Sequence, residues 1–474
     1  MNAQRLRVYQ GPSFWQRLSH IARSAAACSK ANSAFSTVLA ASLRETPFPS
    51  KSAVIMGKNG PMMLGGHRGM GENLVTRSPS GKADVYPAFR ENTIQSFQQA
   101  AKCGVGFVEF DVQVTRDNVP VIWHDDDVVI GPADHPSRPQ VKDLTLAELK
   151  VLCGRGGEGS SSGAAADASA SNPCMSGVTT GCTPRGCDDK REPVAIKVAD
   201  GTQEPRGLLR LFRDRATRQW ATSYEQWKCD QDDAIPTLEA VFAALPPEVG
   251  FDIEIKMTTG DDVVHTPSDE VERMLGAILP VVNRCSSSSS PSSGPVSAPP
   301  SPLPTAHLTD CGCRNGDVVT PQRRRRIMFS SFDPDVCVEL RRRQTEHPVY
   351  YLSGCGLYTH ADARRTSIPA ALSFASEAGM RGIVVPASVL LKNMDLVESA
   401  NRNHLELMTY GLENNDLDCL KAQADAGVVA AIVDEVEGVT AAFNAGNGNA
   451  AAATVGSISG SDAAIADAIA TGAL

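Results

Sequence analysis

The sequence predicts a parallel (βα)8 barrel that is interrupted by inserts, and three observations support this fold class. Short β-rich apolar runs alternate with amphipathic segments of helix length along most of the 474 residues, as in consecutive βαβ units. Eight such runs are present, whereas an open doubly wound sheet, the main alternative, usually has fewer strands. The hydrophobic content of 42% is typical of a globular chain, and no apolar stretch approaches the ~20 residues of a membrane span.

The predicted barrel strands all combine β-branched or aromatic residues with flanking glycine, proline or polar residues. They are PMMLGG (61–66), GFVEFDV (106–112), GFDIEIK (250–256), IMFSSF (327–332), PVYYL (348–352), GIVVP (382–386), LELMTYG (405–411) and AAIVDE (430–435). Linking helices are expected at 91–103, 267–279, 334–345, 369–378 and 413–425.

One further run, VIWHD at 121–125, follows the second strand too closely for a parallel connection. A parallel crossover needs about a dozen residues, so we expect a β-hairpin insertion after strand 2. With Asp117 and Asn118 at the tip of a two-residue turn, Asp111 would lie opposite His124 in the antiparallel pair.

Several segments lack the apolar residues of a packed core. Residues 154–171 and 285–304 are of low complexity, and the tail at 443–474 is rich in alanine and glycine. Residues 206–227 suggest a basic amphipathic helix, either on a membrane surface or, more commonly, on the solvated side of an insertion. We therefore expect a barrel domain at 61–442 with inserts at about 154–233 and 285–320.

Residues 1–60 are rich in arginine and serine and contain Glu45 as their one acidic residue. This composition indicates an organellar transit peptide, with plastid favoured over mitochondrion. The alternative is a disordered tail on a cytoplasmic protein. The thirteen cysteines include no C-x-x-C pair, which indicates free thiols in a reducing compartment. The net charge of −9 argues against a nucleic-acid partner.

Carboxylates lie at the predicted carboxyl ends of two strands, where barrel chemistry is found. Glu109 and Asp111 share one face of their strand because they are two residues apart, and Glu254 lies at the end of the next strand along the chain. Inward-facing acids are costly without a cation. An all-oxygen ligand set favours one divalent Mg²⁺ or Ca²⁺ ion.

Cations and imidazoles occupy the neighbouring strand ends. Arg68 and Lys256 are suited to binding an anionic oxygen. His67 and His124 can give and take protons near neutral pH. A hard metal, two cations and two histidines together suit phosphoryl transfer from a phosphodiester.

The same residues carry a family resemblance. GHRG (66–69), ENT (91–93), VEFDVQVTRDNVPVIWHD (108–125), IPTLEAVF (235–242), DIEIK (252–256) and FSSFDPD (329–335) resemble the glycerophosphodiester phosphodiesterases. The plant and fungal branch of the family is resembled by two further runs, VYYL and LMTYGLENND. The second run stands in place of the more usual strand that contains a Trp-Thr pair.

The resemblance implies a TIM-barrel enzyme that splits compounds such as glycerophosphocholine and glycerophosphoethanolamine into sn-glycerol 3-phosphate and an alcohol. By position it implies catalytic roles for His67 and His124. It implies phosphate binding by Arg68 and Lys256, and Glu91 would support this phosphate-binding group. It further implies metal binding by Glu109, Asp111 and Glu254, and glycerol contacts by Phe332 and Tyr410. The nucleophile is either the glycerol 2-hydroxyl, which would give a cyclic phosphate, or water.

Three other functions are compatible with these motifs. A lysophospholipase D would use the same chemistry with an apolar ramp, which Leu208, Leu209, Leu211, Phe212 and Trp220 in the insert would supply. A non-catalytic phosphodiester-binding module would lack a histidine, and both histidines are present. A structural barrel would bind partners through its inserts. We expect a small-molecule substrate and no transmembrane segment.

Overall fold

Eight parallel strands close into a barrel in the computed structural model, which describes residues 54–78, 84–153, 207–287 and 324–443. The strands, in chain order, are β1 Val54–Gly57, β2 Gly60–Gly66, β3 Leu74–Val75, β4 Phe107–Val114, β5 Pro120–Ile122, β6 Leu209–Arg210, β7 Arg213–Asp214, β8 Glu225–Gln226, β9 Gly250–Ile255, β10 Ile327–Ser331, β11 Val349–Leu352, β12 Gly382–Pro386, β13 Glu406–Tyr410 and β14 Ala430–Val433.

The helices that pack around the barrel are α1 Ile94–Cys103, α2 Leu146–Cys153, α3 Leu238–Ala244, α4 Ser268–Ser287, α5 Pro334–Arg343, α6 Ile368–Glu377, α7 Ala387–Leu390, α8 Asp395–Arg402 and α9 Leu417–Ala426. Short 3₁₀ turns lie at Val141–Asp143, Ala363–Arg365 and Leu412–Asn415. Several helices begin at a side-chain cap, as where Thr93 accepts a hydrogen bond from the backbone N–H of Ser96.

The barrel runs in the order β2, β4, β9, β10, β11, β12, β13 and β14, and β14 pairs back with β2. Closure between β2 and β4 pairs Gly65 with Phe107 and Gly66 with Val108. The predicted (βα)8 class is therefore confirmed over the open sheet, and each of the eight predicted runs forms a barrel strand. The predicted helices correspond to α1, α4, α5, α6 and α9.

Strict alternation along β4 explains how one strand serves both the core and the site. Val108, Phe110 and Val112 pack in the main hydrophobic cluster with helix residues, while Phe107 packs with residues of other strands such as Val384 and Met408. Because successive strand side chains point to opposite faces, Phe107 lies on the inner face of the barrel. Glu109 and Asp111 share that face.

The hairpin after β4 is present, but its predicted register is wrong. β4 and β5 pair Val112 with Ile122 and Val114 with Pro120, and the Trp123 N–H donates to the Asp111 carbonyl at 3.0 Å. Asp111 thus faces Trp123 and not His124. The reason is the loop, which has three residues and ends in Asn118 with φ 59°, the left-handed position of a three-residue hairpin turn.

The predicted helix over 206–227 is also wrong. The structure describes this segment from residue 207 onwards, where it contains the strands β6, β7 and β8. Leu208, Arg210 and Phe212 are buried in alternation, and a period of two belongs to extended chain. Leu208 and Phe212 join Trp123 and other residues in a second hydrophobic cluster beside the barrel. They are therefore buried, whereas the side chains of an apolar ramp would have to lie on the surface.

At the amino-terminal side, β1 pairs antiparallel with β2, so the described fold begins at Val54, ahead of residue 61. The domain boundaries and the transit segment remain predictions. Residues 1–53, 79–83, 154–206, 288–323 and 444–474 lie outside the described residues. Among the cysteines that the structure describes, Cys103, Cys153, Cys229, Cys337, Cys355 and Cys419 are free thiols. Within those residues, we find no helix with both the length and the apolar character to cross a membrane.

Candidate active site

Three buried carboxylates meet at the carboxyl ends of β4 and β9. The register pairs Asp111 with Glu254 and Glu109 with Asp252, so Asp111 and Glu254 are neighbours on adjacent strands. One carboxylate oxygen of Glu109, Asp111 and Glu254 each lies within 4.8 Å of the others. The structure therefore brings together the three residues predicted as metal ligands.

This acidic cluster has the properties of a cation site. Burial and the neighbouring Asp111 raise the pKa of Glu109 well above its usual range, and Glu109 Oε1 is buried without a hydrogen-bond partner. Three oxygens in this arrangement would repel one another unless a cation or a proton lay between them. An all-oxygen set fits a hard divalent ion such as Mg²⁺ or Ca²⁺.

His67 stands at the end of β2, beside this cluster. Its Nδ1 lies 2.6 Å from Asp434 Oδ1, and its Nε2 lies 4.0 Å from Glu109 Oε2. Burial by itself would lower the pKa of His67, but Asp434 outweighs that effect and raises the pKa to about 9. The carboxylate thus holds the ring by one nitrogen and leaves the other facing the site.

The backbone that carries His67 is held by tight turns. Gly71 has φ 109°, and its N–H donates to the His67 carbonyl at 2.8 Å. A Cβ at Gly71 would lie 2.1 Å from the Asp434 carbonyl oxygen. Arg68 has φ 47°, an uncommon conformation for a residue with a side chain. The glycines therefore let this loop approach β14 closely enough for Asp434 to reach His67.

Arg68 turns inward to the acidic cluster. Its backbone N–H donates to Glu109 Oε2 at 2.8 Å, and its Nη1 donates to Glu91 Oε1 at 2.7 Å. Its Nε lies 3.6 Å from Asp111 Oδ2. Burial would raise the pKa of Glu91, but Arg210 and Arg68 lower it. Glu91 is therefore an ionised partner that holds the Arg68 guanidinium beside the cluster.

His124 and Lys256 complete the predicted set. His124 Nδ1 lies 2.9 Å from Asp125 Oδ1, and burial together with Arg68 and Lys256 lowers the pKa of His124 to about 4. Lys256 Nζ lies 3.5 Å from Glu254 Oε1 and 3.9 Å from Asp111 Oδ1. All the predicted site residues thus lie in one mouth of the barrel.

An aromatic pair is positioned by the strands across from β4. Phe332 follows β10, Tyr410 ends β13, and their rings meet edge to face with centroids 6.0 Å apart. Both are partly buried and pack against the cluster of inner-face side chains. This pair offers an apolar wall on the inner face of the barrel, and its contact with a glycerol group stays a prediction.

Sequence reasoning missed several polar residues that support the site. Asp434 orients His67, and Asn92, with φ 57°, donates from Nδ2 to Asp111 Oδ2 at 2.8 Å. Asp434 was detectable from the sequence, because AAIVDE places it at the carboxyl end of the last strand. Glu254 was predicted in the same way, from its position at the end of its own strand. Arg210 had no such signal, because its segment was interpreted as a helix.

Comparison with known proteins points to one family. The model of the "Glycerophosphoryl diester phosphodiesterase family" matches residues 67–290 and 306–438. The chain is 29% identical over 399 residues to "Glycerophosphodiester phosphodiesterase GDPD1, chloroplastic" of Arabidopsis thaliana, covering 83% of this chain and 85% of that protein. It is 28% identical over 376 residues to "Glycerophosphocholine phosphodiesterase GDE1" of Eremothecium gossypii, covering 78% of this chain and 25% of that protein.

Among solved structures, a glycerophosphodiester phosphodiesterase from Parabacteroides distasonis is 16% identical, with a TM-score of 0.42, and the match covers 82% of this chain and 98% of the other. The family model spans most of the chain, including every site residue described above. The chain therefore belongs to the glycerophosphoryl diester phosphodiesterase family of enzymes.

Proposed function

We propose that the protein hydrolyses glycerophosphodiesters, such as glycerophosphocholine and glycerophosphoethanolamine, to sn-glycerol 3-phosphate and an alcohol, with the help of one divalent metal ion. The observation that carries this proposal is the meeting of three buried carboxylates with two histidines, each held through Nδ1 by its own aspartate. The names of the Arabidopsis and Eremothecium relatives support the substrate class.

Glu109, Asp111 and Glu254 would hold the ion, as Mg²⁺ or Ca²⁺. Bound there, the ion would neutralise charge on non-bridging phosphoryl oxygens. The residues of the chain would do the rest. Arg68 and Lys256 are cations at the rim of the acidic cluster, and they would bind the phosphoryl oxygens and orient the diester.

His67 and His124 would divide the proton transfers between them. One would accept the proton of the attacking oxygen, and the other would donate a proton to the alcohol as its bond to phosphorus breaks. Asp434 and Asp125 each engage Nδ1, which leaves Nε2 of both rings for this exchange. The attacking oxygen is either that of water or the glycerol 2-hydroxyl, which would form a cyclic phosphate that water then opens.

The test is release of choline by purified protein with Mg²⁺ or Ca²⁺, from glycerophosphocholine and, in parallel, from lysophosphatidylcholine. The second product would be glycerol 3-phosphate from the first substrate and lysophosphatidic acid from the second. We expect turnover of glycerophosphocholine and loss of it in His124→Ala. His135→Ala, which removes an exposed histidine outside the site, should leave turnover unchanged. Trapping of a cyclic phosphate in the product mixture would identify the glycerol 2-hydroxyl as the nucleophile.

The competing functions predict different results in the same assay. A lysophospholipase D would prefer lysophosphatidylcholine, although burial of Leu208 and Phe212 removes two side chains from its expected apolar ramp. A phosphodiester-binding module would bind glycerophosphocholine without releasing product. A structural barrel would do neither.

For location, we propose a plastid. The arginine- and serine-rich composition of residues 1–60 supports it, as does the word "chloroplastic" in the name of one relative. Residues 1–60 fused to a fluorescent protein should direct it to plastids in plant cells. A diffuse cytoplasmic signal would contradict the proposal, and a mitochondrial signal would support the other organelle.

A further inference from the structure

Arg210 is a buried cation that the insert places behind the site. It lies in β6, and its side chain is only 4% exposed. The guanidinium carbon lies 4.2 Å from the centroid of the Trp227 ring, whose Nε1 donates to Asn73 Oδ1 at 2.9 Å. A charge this deeply buried requires paired partners, and stacking on Trp227 fixes the plane from which the guanidinium reaches them.

The partners of Arg210 are two carboxylates from different parts of the barrel mouth. Its Nη1 lies 2.9 Å from Glu91 Oε1, and its Nη2 lies 3.9 Å from Asp125 Oδ1. Each of these oxygens also holds a residue of the proposed site. Glu91 Oε1 accepts from Arg68 Nη1 at 2.7 Å, and Asp125 Oδ1 lies 2.9 Å from His124 Nδ1.

Arg210 is thus the common partner of two short chains of contacts. One chain passes through Glu91 to Arg68, and the other passes through Asp125 to His124. The guanidinium places its positive charge between the two carboxylates, and a different terminal nitrogen approaches each of them. A lysine would offer the same charge at a single nitrogen.

We propose that Arg210 is a positioning residue that holds Arg68 and His124 in their mutual arrangement by binding Glu91 and Asp125 together. This inference rests on the proposed phosphodiesterase function. It also gives the insert a role, because the segment that departs from simple βα alternation contributes a residue on which the geometry of the site depends.

The insert is anchored well enough to serve as such a support. Its β7 pairs with β3, which follows directly on the loop that carries His67 and Arg68. The Arg215 N–H donates to the Val75 carbonyl at 2.8 Å, and Asp232 forms an ion pair with Arg90, one residue before Glu91. Arg210 itself lies opposite Glu225 in the pairing of β6 with β8, so its backbone is held without Glu91 or Asp125.

A double-mutant cycle on kcat tests the proposal, using Arg210→Gln, Asp125→Asn and the double variant with saturating Mg²⁺ and glycerophosphocholine. We expect Arg210→Gln to lower kcat about 10- to 100-fold with a smaller change in KM, since misplacement of a proton-transfer group costs rate. In the Asp125→Asn background the same substitution should cost less than it does alone, because its route to His124 is already broken and only the route through Glu91 to Arg68 remains.

The matched control is Arg213→Gln. Arg213 also belongs to the insert and also stacks on a tryptophan, with its guanidinium carbon 5.7 Å from the Trp220 centroid, but it contacts neither Glu91 nor Asp125. We expect its kcat to stay within about 2-fold of the unsubstituted protein. Thermal unfolding of each variant reports whether the fold is retained.

Arg210→Lys keeps the charge and is the second variant if Arg210→Gln fails to fold. It should fold, lower kcat, and shift the imidazole ¹⁵N resonances of His124 while those of His135 stay in place. Arg213→Gln should shift neither. The NMR measurement needs no turnover, so it tests this inference separately from the proposed function. If the unsubstituted protein were inactive, the proposed function would be refuted, but the NMR result would still be informative.

The proposal is overturned if folded Arg210→Gln or Arg210→Lys retains kcat within 2-fold, or if the His124 resonances do not move. It is also overturned if the costs of Arg210→Gln and Asp125→Asn multiply, because independent effects would mean that Arg210 does not act on His124 through Asp125.

Discussion

Asp434 Oδ1 lies 2.6 Å from Nδ1 of His67, across 367 residues of sequence. The same oxygen accepts the backbone N–H of Glu72 at 2.9 Å, so the carboxylate fixes both the imidazole and the loop that carries it. In the proposed reaction this contact selects the tautomer of His67 that carries its proton on Nδ1, and it directs Nε2 towards Glu109.

Replacement of Asp434 should impair chemistry more than binding. We expect Asp434→Asn to lower kcat about 10²- to 10⁴-fold, the range over which a positioned proton-transfer group contributes, with a smaller change in KM. Steady-state kinetics on glycerophosphocholine would measure this. The control is Asp425→Asn, a carboxylate that pairs with the exposed Lys58, and equal kcat values for the two variants would contradict an orienting role.

Loss of either proposed catalytic histidine should separate turnover from metal binding. His67→Ala and His124→Ala should each lower kcat by at least about 10²-fold, while the carboxylates remain to bind the ion. Steady-state turnover would check the loss of activity. Calorimetric titration of the same preparations with Mg²⁺ or Ca²⁺ would check that metal binding is retained. Near-normal kcat in one variant would remove that histidine from acid–base catalysis, and His135→Ala serves as the unaffected reference.

Chelation should abolish activity, because the three carboxylates would then lack the cation on which the proposed chemistry depends. We expect no product in excess EDTA and recovery on addition of Mg²⁺ or Ca²⁺. Glu109→Gln should weaken the affinity for the ion and raise the concentration needed for half-maximal recovery. Undiminished turnover in EDTA would refute the metal site, and Zn²⁺ alone restoring activity would contradict the assignment to a hard ion.

Gly71 should tolerate no side chain. A Cβ there would lie 2.1 Å from the Asp434 carbonyl oxygen, and φ 109° is unfavourable for alanine. We expect Gly71→Ala to lower the free energy of unfolding by at least about 1 kcal/mol and to lower kcat, because Asp434 must move. Urea unfolding measures the first effect and steady-state kinetics the second.

Gly438→Ala is the matched control, since a Cβ at Gly438 meets nothing within 4 Å. Its unfolding free energy should be unchanged or higher, because alanine favours helix over glycine by about 1 kcal/mol and residue 438 lies in a helical segment that begins at residue 436, after β14. If the two glycine variants behaved alike, the close approach of the His67 loop to β14 would not be a constraint on the fold.

Much of the site was predictable because strand periodicity is local. Glu109 and Asp111 are two residues apart in an apolar strand, and that spacing alone places them on one face. Glu254 and Lys256 repeat the arrangement on β9. Parallel strands of a barrel end at one mouth, so the strand pattern was sufficient to predict that these side chains, with His67, would meet.

The hairpin register and the insert were not predictable in this way. A two-residue and a three-residue turn differ by one residue of register, and Asn118 in the left-handed conformation decided between them. In the insert, the basic and apolar residues of 206–227 suggested a helix. Pairing of β7 with β3 and burial of Leu208 and Phe212 against Trp123 drew the segment into extended chain.

The sequence by itself determined the barrel, its strand ends and the identity of the residues that gather there, because each depends on periods of two or 3.6 within a single element. Only the tertiary structure decided which carboxylate orients His67 and which cation lies beside Glu91 and Asp125. The contacts of Asp434 with His67 and of Arg210 with Asp125 join elements far apart in the chain. Barrel closure and the docking of the insert create these contacts, and neither leaves a periodic signal along the chain.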